Sequence, residues 1–309
     1  GFRHLLISDP GNRDHRYNLA MILVSLAAAL QTDYPKDAAA QAWEATDLLR
    51  QLAAEDQKYQ LAHGKIILYP TAPLLAATAH GDDALALLRE ATDVFTQLAA
   101  REPANLEHTS NRAQAVLGTG IRQWERGDKP QGLATVQDAV RMLRDLSARD
   151  KAYTRPLASW LRSPLQGYLA ASGRIDDAIT VLREAVTIYQ DWVTREPANL
   201  EHQANRADTL SLLGTRQWEK GDKEPAVTTG KQAVDAYRAL VGKSAAYRPS
   251  LAYTLVWPLS YHLEGTGRKS EAIAGVKEAV TLYTALANED AKHRERLTAA
   301  EARLAELQR

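Results

Sequence analysis

The stretch GTRQWEKGDKEPAVTTGKQAVDAY at residues 214–237 decides the fold, because it contains the end of one helical pattern, a turn and the start of a second pattern. Gly221-Asp222 is the turn-like pair. After it, apolar residues recur three to four positions apart, at Ala226, Ala233, Val234 and Tyr237, which places one apolar stripe on a helix. Before it, residues 207–214 show the same spacing. The stretch therefore predicts two helices joined as a hairpin.

The hairpin belongs to a series, because the chain repeats itself at a shift of 94 residues. REPANLEH at residues 101–108 recurs at residues 195–202, and residues 101–129 match residues 195–223 at 19 of 29 positions. Each 94-residue unit divides again, since turn-like pairs recur about every 47 residues. These pairs are Gly81-Asp82, Gly127-Asp128, Gly173-Arg174, Gly221-Asp222 and Gly267-Arg268. Alternating β-branched runs are missing, so the pattern predicts an all-α chain of six hairpins in three 94-residue double units.

The spacing places these hairpins over residues 11–289 of a single domain that spans 1–309. We expect a last helix at 290–309 to cap the array, with Leu297, Ala300, Leu304 and Leu307 facing inward. The helix pairs are predicted at 11–32 and 36–56, 58–79 and 82–100, 104–126 and 129–149, 151–172 and 175–194, 198–220 and 223–242, and 245–265 and 269–288.

The first residues resemble the end of a second helix. FRHLLISDPGN at residues 2–12 aligns with FTQLAAREPAN at residues 95–105. Residues 1–10 are therefore predicted to be the end of a truncated preceding helix, and the chain a fragment of a larger protein. The alternative is the frayed start of an ordinary N-terminus.

Composition excludes several classes of protein. The chain has 309 residues, 38 basic and 38 acidic side chains and no cysteine. A net charge of zero gives no reason to expect a nucleic-acid partner or an anionic membrane surface. The absence of cysteine excludes disulfides, thiolate zinc sites and cysteine nucleophiles. No apolar run is long enough to span a bilayer, and the first residues lack the pattern of a secretory signal, so a cytoplasmic location is predicted.

The repeat resembles the tetratricopeptide repeat (TPR) family. That family sets a small residue after a leucine on the first helix, a turn glycine seven positions on, and small residues on the second helix, which here are Leu213-Gly214, Gly221, Ala226 and Ala233. The resemblance implies a right-handed α-solenoid whose first helices line a groove for peptides or partner helices. The repeat of about 47 residues is longer than the family's usual 34. It is similar to the long-repeat variety found in large bacterial multidomain signalling proteins.

Carrying the family's groove positions onto this sequence places two tryptophans on the groove-facing stripe. Tryptophan offers a large contact area with one hydrogen-bond donor, which suits a recognition hot spot. The alternative is that each tryptophan packs against the neighbouring repeat. The predicted stripe comprises Trp124 and Trp218 with Ile121, Glu125, Glu219, Leu117 and Ser211.

A histidine and an asparagine three residues apart recur on the first helices, as His15/Asn18, His108/Asn111 and His202/Asn205, with Arg112 and Arg206 directly after the last two pairs. This spacing puts both side chains on one helix face. Such donor-rich sets could hold a peptide backbone or a carboxylate. The alternative, a buried polar contact that fixes helix packing, is the interpretation the pattern favours.

Prolines 70, 164 and 258 fall inside predicted first helices. A proline within a helix removes a backbone hydrogen bond and kinks the helix. One hypothesis is a pocket at the kinked helices formed by Tyr69, Trp160, Ser163, Trp257 and Tyr261. The simpler interpretation, which the pattern favours, is that the kinks only shape the array.

No enzyme motif occurs in this sequence with the required spacing and context. GTGRKS at residues 265–270 has the wrong spacing for a phosphate-binding loop and follows a helix rather than a strand. No HExxH or GxSxG pattern occurs, so we predict no catalytic residue, no metal and no cofactor. The leading hypothesis is a non-enzymatic module that binds a protein or peptide as the sensing or scaffolding part of a bacterial signalling protein, such as an ATPase or protease regulator. A small-molecule sensor and a passive oligomerisation scaffold are the alternatives.

Overall fold

A computed structural model describes residues 9, 11–78 and 80–309 of the chain. The described residues contain helices and turns but no strand. They divide into two compact units, residues 1–154 and 155–309. The sequence prediction for residues 1–10 falls almost wholly on residues that lie outside the described part. The prediction of a single domain over 1–309 stays a prediction.

Unit 1 contains three helical hairpins, and the first helix of the second hairpin is divided into two α-helical pieces by a π-helical turn at Ile67–Thr71. A short 3-10 turn, Gln57–Tyr59, precedes that divided helix. The α-helices are α1 (Arg13–Leu30), α2 (Pro35–Glu55), α3 (Gln60–Ile66), α4 (Ala72–Ala77), α5 (Gly81–Arg101), α6 (Leu106–Glu125) and α7 (Lys129–Arg149).

Unit 2 contains three more hairpins and a final helix. Two of its first helices are divided, by π-helical turns at Leu161–Leu165 and Leu255–Leu259. The α-helices are α8 (Thr154–Trp160), α9 (Gln166–Ala171), α10 (Ile175–Arg195), α11 (Leu200–Lys220), α12 (Lys223–Val241), α13 (Arg248–Thr254), α14 (Ser260–Glu264), α15 (Lys269–Glu289) and α16 (Arg294–Gln308). Across the described residues, the all-α repeat of six hairpins and a C-terminal helix is confirmed.

The three internal prolines lie in the three π-helical turns, as Pro70, Pro164 and Pro258. Proline has no N–H to donate to the carbonyl four residues earlier. The helical turn there therefore contains one extra residue, and the α-helix resumes after it. The N–H of Ala72 accordingly donates to Ile67, five residues back. At the second site Ser163 is extended and the Ser163–Pro164 peptide bond is cis.

Glycines set the turns and the close approach of paired helices. Gly127 and Gly221 have φ of 93° and 95°, a left-handed conformation that glycine adopts without a Cβ clash. Gly81, by contrast, is the first residue of α5 rather than a left-handed turn residue. Between α6 and α7, a Cβ added to Gly132 would lie 2.7 Å from the backbone nitrogen of Trp124. The two backbones therefore touch at a point where no side chain fits.

Each unit has its own apolar core. In unit 1 the core includes Leu49, Leu52 and Phe95, and in unit 2 it includes Tyr237, Leu240 and Tyr283. Alanines at the helix crossings, such as Ala42 and Ala279, are fully buried, which explains why small residues recur there. The first helices are thereby fixed against the second helices, and their remaining faces are free to line a surface.

Candidate functional site

A groove of about 780 Å³ lies in unit 2 along its successive first helices. Its lining comes from the π-helical turn between α8 and α9, from α9, α11 and α13, and from the start of α16 with the turn before it, together with one side chain of α12. A volume of this size falls in the range of ligand-binding clefts. The lining residues are Arg162, Ser163, Gln166, Asp208, Ser211, Leu212, Tyr237, Pro249, Ser250, Tyr253, Thr254, Lys292, His293 and Arg296.

Asp208 is the acidic residue of this lining, and two neighbours hold it. Arg162 Nη1 lies 3.1 Å from Asp208 Oδ2, and the hydroxyl of Tyr237 donates to Asp208 Oδ1. Burial, reinforced by the nearby Asp208 carboxylate, raises the pKa of Tyr237 above its usual range, so the phenol keeps its proton and stays a donor. The Asp208 carboxylate is thus neutralised by Arg162 and fixed in place.

The ring of Tyr253 lines one wall of the groove, and two further aromatic side chains lie behind it. Tyr253 is exposed, and its ring stacks on Trp257 with a centroid separation of 5.0 Å. Trp257 in turn meets the buried Tyr283 edge-on at 6.2 Å. The guanidinium of Arg296 lies 5.6 Å from the centre of the Tyr253 ring. This wall is rigid, because its exposed ring rests on two others that belong to the core.

The groove has an excess of positive charge. Its lining holds three permanently cationic side chains, Arg162, Lys292 and Arg296, against the single carboxylate of Asp208. Lys292 also lies 2.6 Å from Asp290 at the rim. Arg296 has no carboxylate partner among the described residues. An arginine over an exposed tyrosine can pair with an incoming carboxylate while the ring accepts an apolar contact.

The two tryptophans of the predicted stripe lie outside the groove lining. The Trp218 ring stacks on His262 of α14 at a centroid distance of 4.8 Å, and a Cβ added to Gly265 would lie 2.5 Å from it. Trp218 therefore makes the packing contact with the next repeat that was the alternative interpretation. Trp124 is half-buried, and Lys129 lies 5.7 Å from its ring. Neither tryptophan lines the groove, so a partner contact through them stays a prediction.

Other stripe positions divide between the groove and intrahelical pairs. Ser211 lines the groove. Glu125 and Glu219 are exposed and bind arginines three residues earlier, Arg122 at 2.6 Å and Arg216 at 2.5 Å. Ile121 and Leu117 are half-buried on α6. On α11, the stripe assigned from the family's positions shares Ser211 with the groove lining, whereas Trp218 and Glu219 lie outside the lining.

The histidine and asparagine sets are mainly internal. His108 and His202 are buried, and their Nε2 atoms lie 3.0 and 2.9 Å from Glu102 and Glu196. Both imidazoles lie inside the chain against its own glutamates, which is the arrangement that the packing interpretation describes. A peptide grip through these histidines stays a prediction. Asn111 is also buried.

The arginines of these sets are less buried than the histidines. Arg112, Asn205 and Arg206 are half-buried. The Nε atoms of Arg112 and Arg206 have no hydrogen-bond partner among the described residues, and burial lowers the pKa of Arg206. Their Nε atoms are inaccessible to solvent. A partner contact through the other nitrogens of either guanidinium stays a prediction.

The five residues of the predicted kinked-helix pocket do not all meet. Tyr69 belongs to unit 1, where its hydroxyl donates to Asn111 Oδ1 at 3.0 Å. Trp257 supports Tyr253 from behind, and Tyr261 lies under the guanidinium of Arg303 at 3.7 Å. Trp160 is half-buried. Of the five, only Ser163 lines the groove.

The groove residues that sequence reasoning missed are Arg162, Asp208, Tyr253 and Arg296. One signal could have found part of them. Residues 208–213 all differ between the 94-residue copies, with Asp208, Ser211 and Leu212 opposite Gln114, Leu117 and Gly118, while the sequence on either side of this run is mostly identical. Arg296 had no signal, because nothing in the local sequence indicates that the C-terminal helix reaches the groove.

The described residues contain neither a metal-binding cluster nor a membrane-spanning helix. No cluster of three or more histidine, aspartate or glutamate side chains there is arranged to bind a metal ion. Within the same residues, no helix combines the length and the apolar character needed to cross a bilayer.

Solved structures establish the fold. The chain aligns with BtubC (BKLC) from P. vanneervenii at a TM-score of 0.62 and 18% identity, covering 80% of this chain and 90% of that one. It aligns with a putative kinesin light chain of Podosopora anserina that has nearly identical TPR-like repeats, at a TM-score of 0.51 and 15% identity over 70% and 93% of the two chains. The chain has a tetratricopeptide-repeat fold.

A third TPR structure is larger. The STAND-class signal transduction ATPase PH0952 from Pyrococcus horikoshii, which has a tetratricopeptide repeat sensor, matches at a TM-score of 0.54 and 12% identity. That alignment covers 98% of this chain and 43% of the ATPase. No protein-family model and no curated protein sequence matches the chain. At these identities the TPR likeness concerns the fold alone.

Proposed function

We propose that this TPR chain is a binding module and that its unit-2 groove binds an acidic segment of a partner protein. The observation that supports the proposal is the groove itself, lined by side chains of successive first helices with more cationic than anionic groups. A surface built from several repeats suits an extended segment, because each repeat contributes contacts along its length.

Different side chains of the groove make different contacts with the segment. Arg296 and Lys292 attract carboxylates of the segment, and Tyr253 offers an aromatic face to an apolar side chain beside them. Arg162, Asp208 and Tyr237 are already bonded to one another, so they need no reordering when the segment arrives. Such preorganisation reduces the entropy lost on binding.

The wider role that we propose is sensing or scaffolding within a larger bacterial signalling protein, without catalysis by this chain. Support comes from the ATPase PH0952, whose TPR part is described as its sensor and of which this chain spans 43%. In such a protein, a segment bound in the groove would stabilise one arrangement of the repeats. It would thereby shift the conformational equilibrium of the rest of the protein.

A selection experiment tests the groove. A displayed library of random twelve-residue peptides is selected on the chain and then counter-selected on Arg296→Glu, with Arg294→Glu as the matched control outside the groove lining. We expect the enriched peptides to contain acidic residues beside an aromatic or aliphatic one. Arg296→Glu should weaken their binding by about tenfold, since a charge-assisted bond becomes a repulsion. Arg294→Glu should leave it unchanged.

Two results would contradict the proposal. Peptides without acidic residues would remove the charge argument, and equal weakening by both variants would place the binding outside the groove. Displacement of an enriched peptide by a small dicarboxylate at similar concentration would instead favour the small-molecule sensor at the same cations.

A further inference from the structure

Unit 2 contains another cavity, between the second helices α12 and α15 of its last two hairpins. Its volume of about 380 Å³ falls in the range of ligand-binding pockets. The two helices form its walls, and the π-helical turn Leu255–Leu259 with Leu263 of α14 forms its floor. None of its lining residues belongs to the unit-2 groove.

Gly275 of α15 distinguishes this place from the other copies of the repeat. Its counterparts in α5 and α10, at shifts of 188 and 94 residues, are Leu87 and Val181. Both counterparts are buried, with exposures of 3% and 7%. A glycine where the other copies bury a large apolar side chain leaves the volume of that side chain unfilled. We call this space the Gly275 cavity.

Helix packing does not require a glycine at this position. An added Cβ at Gly132 would lie 2.7 Å from a backbone nitrogen. At Gly275, the one atom that a Cβ would meet within 4 Å outside its own helix, among the described residues, is Leu255 Cδ2 at 3.3 Å. Glycine in a helix interior destabilises the helix relative to alanine. Gly275 therefore weakens α15 without relieving a backbone clash, and what it provides is the cavity.

Two ion pairs join the walls of the cavity. Lys231 Nζ lies 2.5 Å from Glu271 Oε2, and Arg238 donates two hydrogen bonds to Glu278, at 3.1 and 2.7 Å. The pairs are seven residues apart on both helices, which separates them by about 10 Å along the helix axes. The space between them admits a compact molecule, whereas an extended segment laid between the helices would have to break both pairs.

The charges of the lining are already paired. Its two cations, Lys231 and Arg238, bind the carboxylates just described, and Asp235 also lies 3.2 Å from Arg238. The lining thus offers an incoming anion no free cation. The floor is apolar and buried, and consists of Leu255, Leu259 and Leu263. An uncharged ligand with an apolar body suits both features, because a rim carboxylate can accept a hydrogen bond from its polar end.

We propose that the Gly275 cavity binds a small uncharged molecule with an aromatic or branched aliphatic body and one polar group that donates a hydrogen bond. Apolar cavities left by a missing large side chain bind molecules of the size of benzene. The site lies outside the groove of the proposed function and takes a different class of ligand. The two sites are neighbours in the chain, since Thr254 lines the groove and Leu255 lines the cavity.

Fluorine NMR titration of the whole chain with 5-fluoroindole tests the site. We expect saturable 1:1 binding, about tenfold tighter than that of 5-fluoroindole-2-carboxylate, whose charge would meet rim acids and no free cation. Gly275→Leu restores the residue of the α5 copy and should weaken 5-fluoroindole binding by about tenfold or more, because it fills the cavity. Gly275→Ala is the matched control. It adds one methyl group and should leave the affinity within about twofold.

The melting temperature shows whether the space is empty in solution. Gly275→Leu should melt at a higher temperature than Gly275→Ala, because a larger side chain is buried on folding. Gly275→Val is a second filling variant, since the copy with Val181 has Leu161 where this hairpin has Leu255, and both of those side chains are buried. It should weaken probe binding less than leucine does. Arg296→Glu, in the unit-2 groove, should leave probe binding unchanged, which separates this proposal from the proposed function.

Three results would overturn the proposal. They are the absence of saturable 5-fluoroindole binding, binding that survives both filling variants, and lower melting temperatures of both filling variants, which would show that the gap closes in solution. A library peptide that loses its binding in Gly275→Leu, with 5-fluoroindole unbound, would overturn it in favour of a partner's side chain.

Discussion

The hairpins α6–α7 and α11–α12 are two versions of one sequence, and the comparison shows which features both copies keep and which they do not. Both first helices begin at an asparagine cap, Asn105 and Asn199, whose side chain accepts from the backbone of the first turn. In both, a buried histidine binds the glutamate six residues earlier. These shared features are structural, and they lie in the part of the sequence that the two copies share.

The differences on α11 are concentrated at residues 208–213, a run that includes buried positions as well as positions that face the groove. Asp208, Ser211 and Leu212 all line the groove, and none of them is retained at 114, 117 and 118. The helix packing also differs, since Gly132 of α7 touches the backbone of α6, whereas α12 has Ala226 at that position. The duplicated hairpin thus keeps its caps and turns while the groove positions and one helix crossing change.

The largest expected difference between the copies concerns pH. Trp218 stacks on His262, and burial lowers the pKa of His262 to about 4. The unfolded chain, with a histidine pKa of 6.5, binds the proton more readily, so stability is complete above pH 6.5 and falls as the pH approaches 4. At about 1.4 kcal/mol per pKa unit, the loss at pH 4 is about 3 kcal/mol.

Urea unfolding at pH 7 and pH 4 measures this loss. The control is His262→Phe, which keeps a ring for Trp218 and has no proton to gain. The difference in free energy of unfolding between the parent and this variant should change by about 3 kcal/mol between the two pH values. A constant difference would show that His262 is not the group responsible.

A smaller effect is expected at the helix crossing. Gly132→Ala should destabilise the chain by about 2 kcal/mol, because its Cβ would meet the backbone of Trp124 and the carbonyl of Gly120, which cannot move without shifting α6. The reverse change at the equivalent position, Ala226→Gly, should cost about 1 kcal/mol through helix propensity. Thermal unfolding of both variants compares the crossings. Stabilisation by Gly132→Ala would mean that α6 and α7 are not in contact there.

Periodicity predicted the fold because each helix has a clear apolar stripe and each turn a glycine or a capping side chain. It predicted that the prolines lie within helices but not that they sit in π-helical turns, since that depends on a one-residue widening that leaves no mark on the sequence. For the site, the family's positions indicated Trp218, which His262 and Gly265 instead enclose. Tyr253 and Arg296 come together only because α13 of the last hairpin and the C-terminal helix α16 both line the groove, which no local pattern indicates.

The central claim is that the unit-2 groove, rather than the tryptophan stripe, holds the partner segment. Hydrogen exchange of backbone amides, measured with and without a peptide enriched by the library selection, tests it most directly. We predict slowed exchange along α11 around Ser211, in α13 around Tyr253 and at the start of α16, with α6 unchanged. Protection centred on Trp124 in α6, with α13 and α16 unaffected, would contradict the claim.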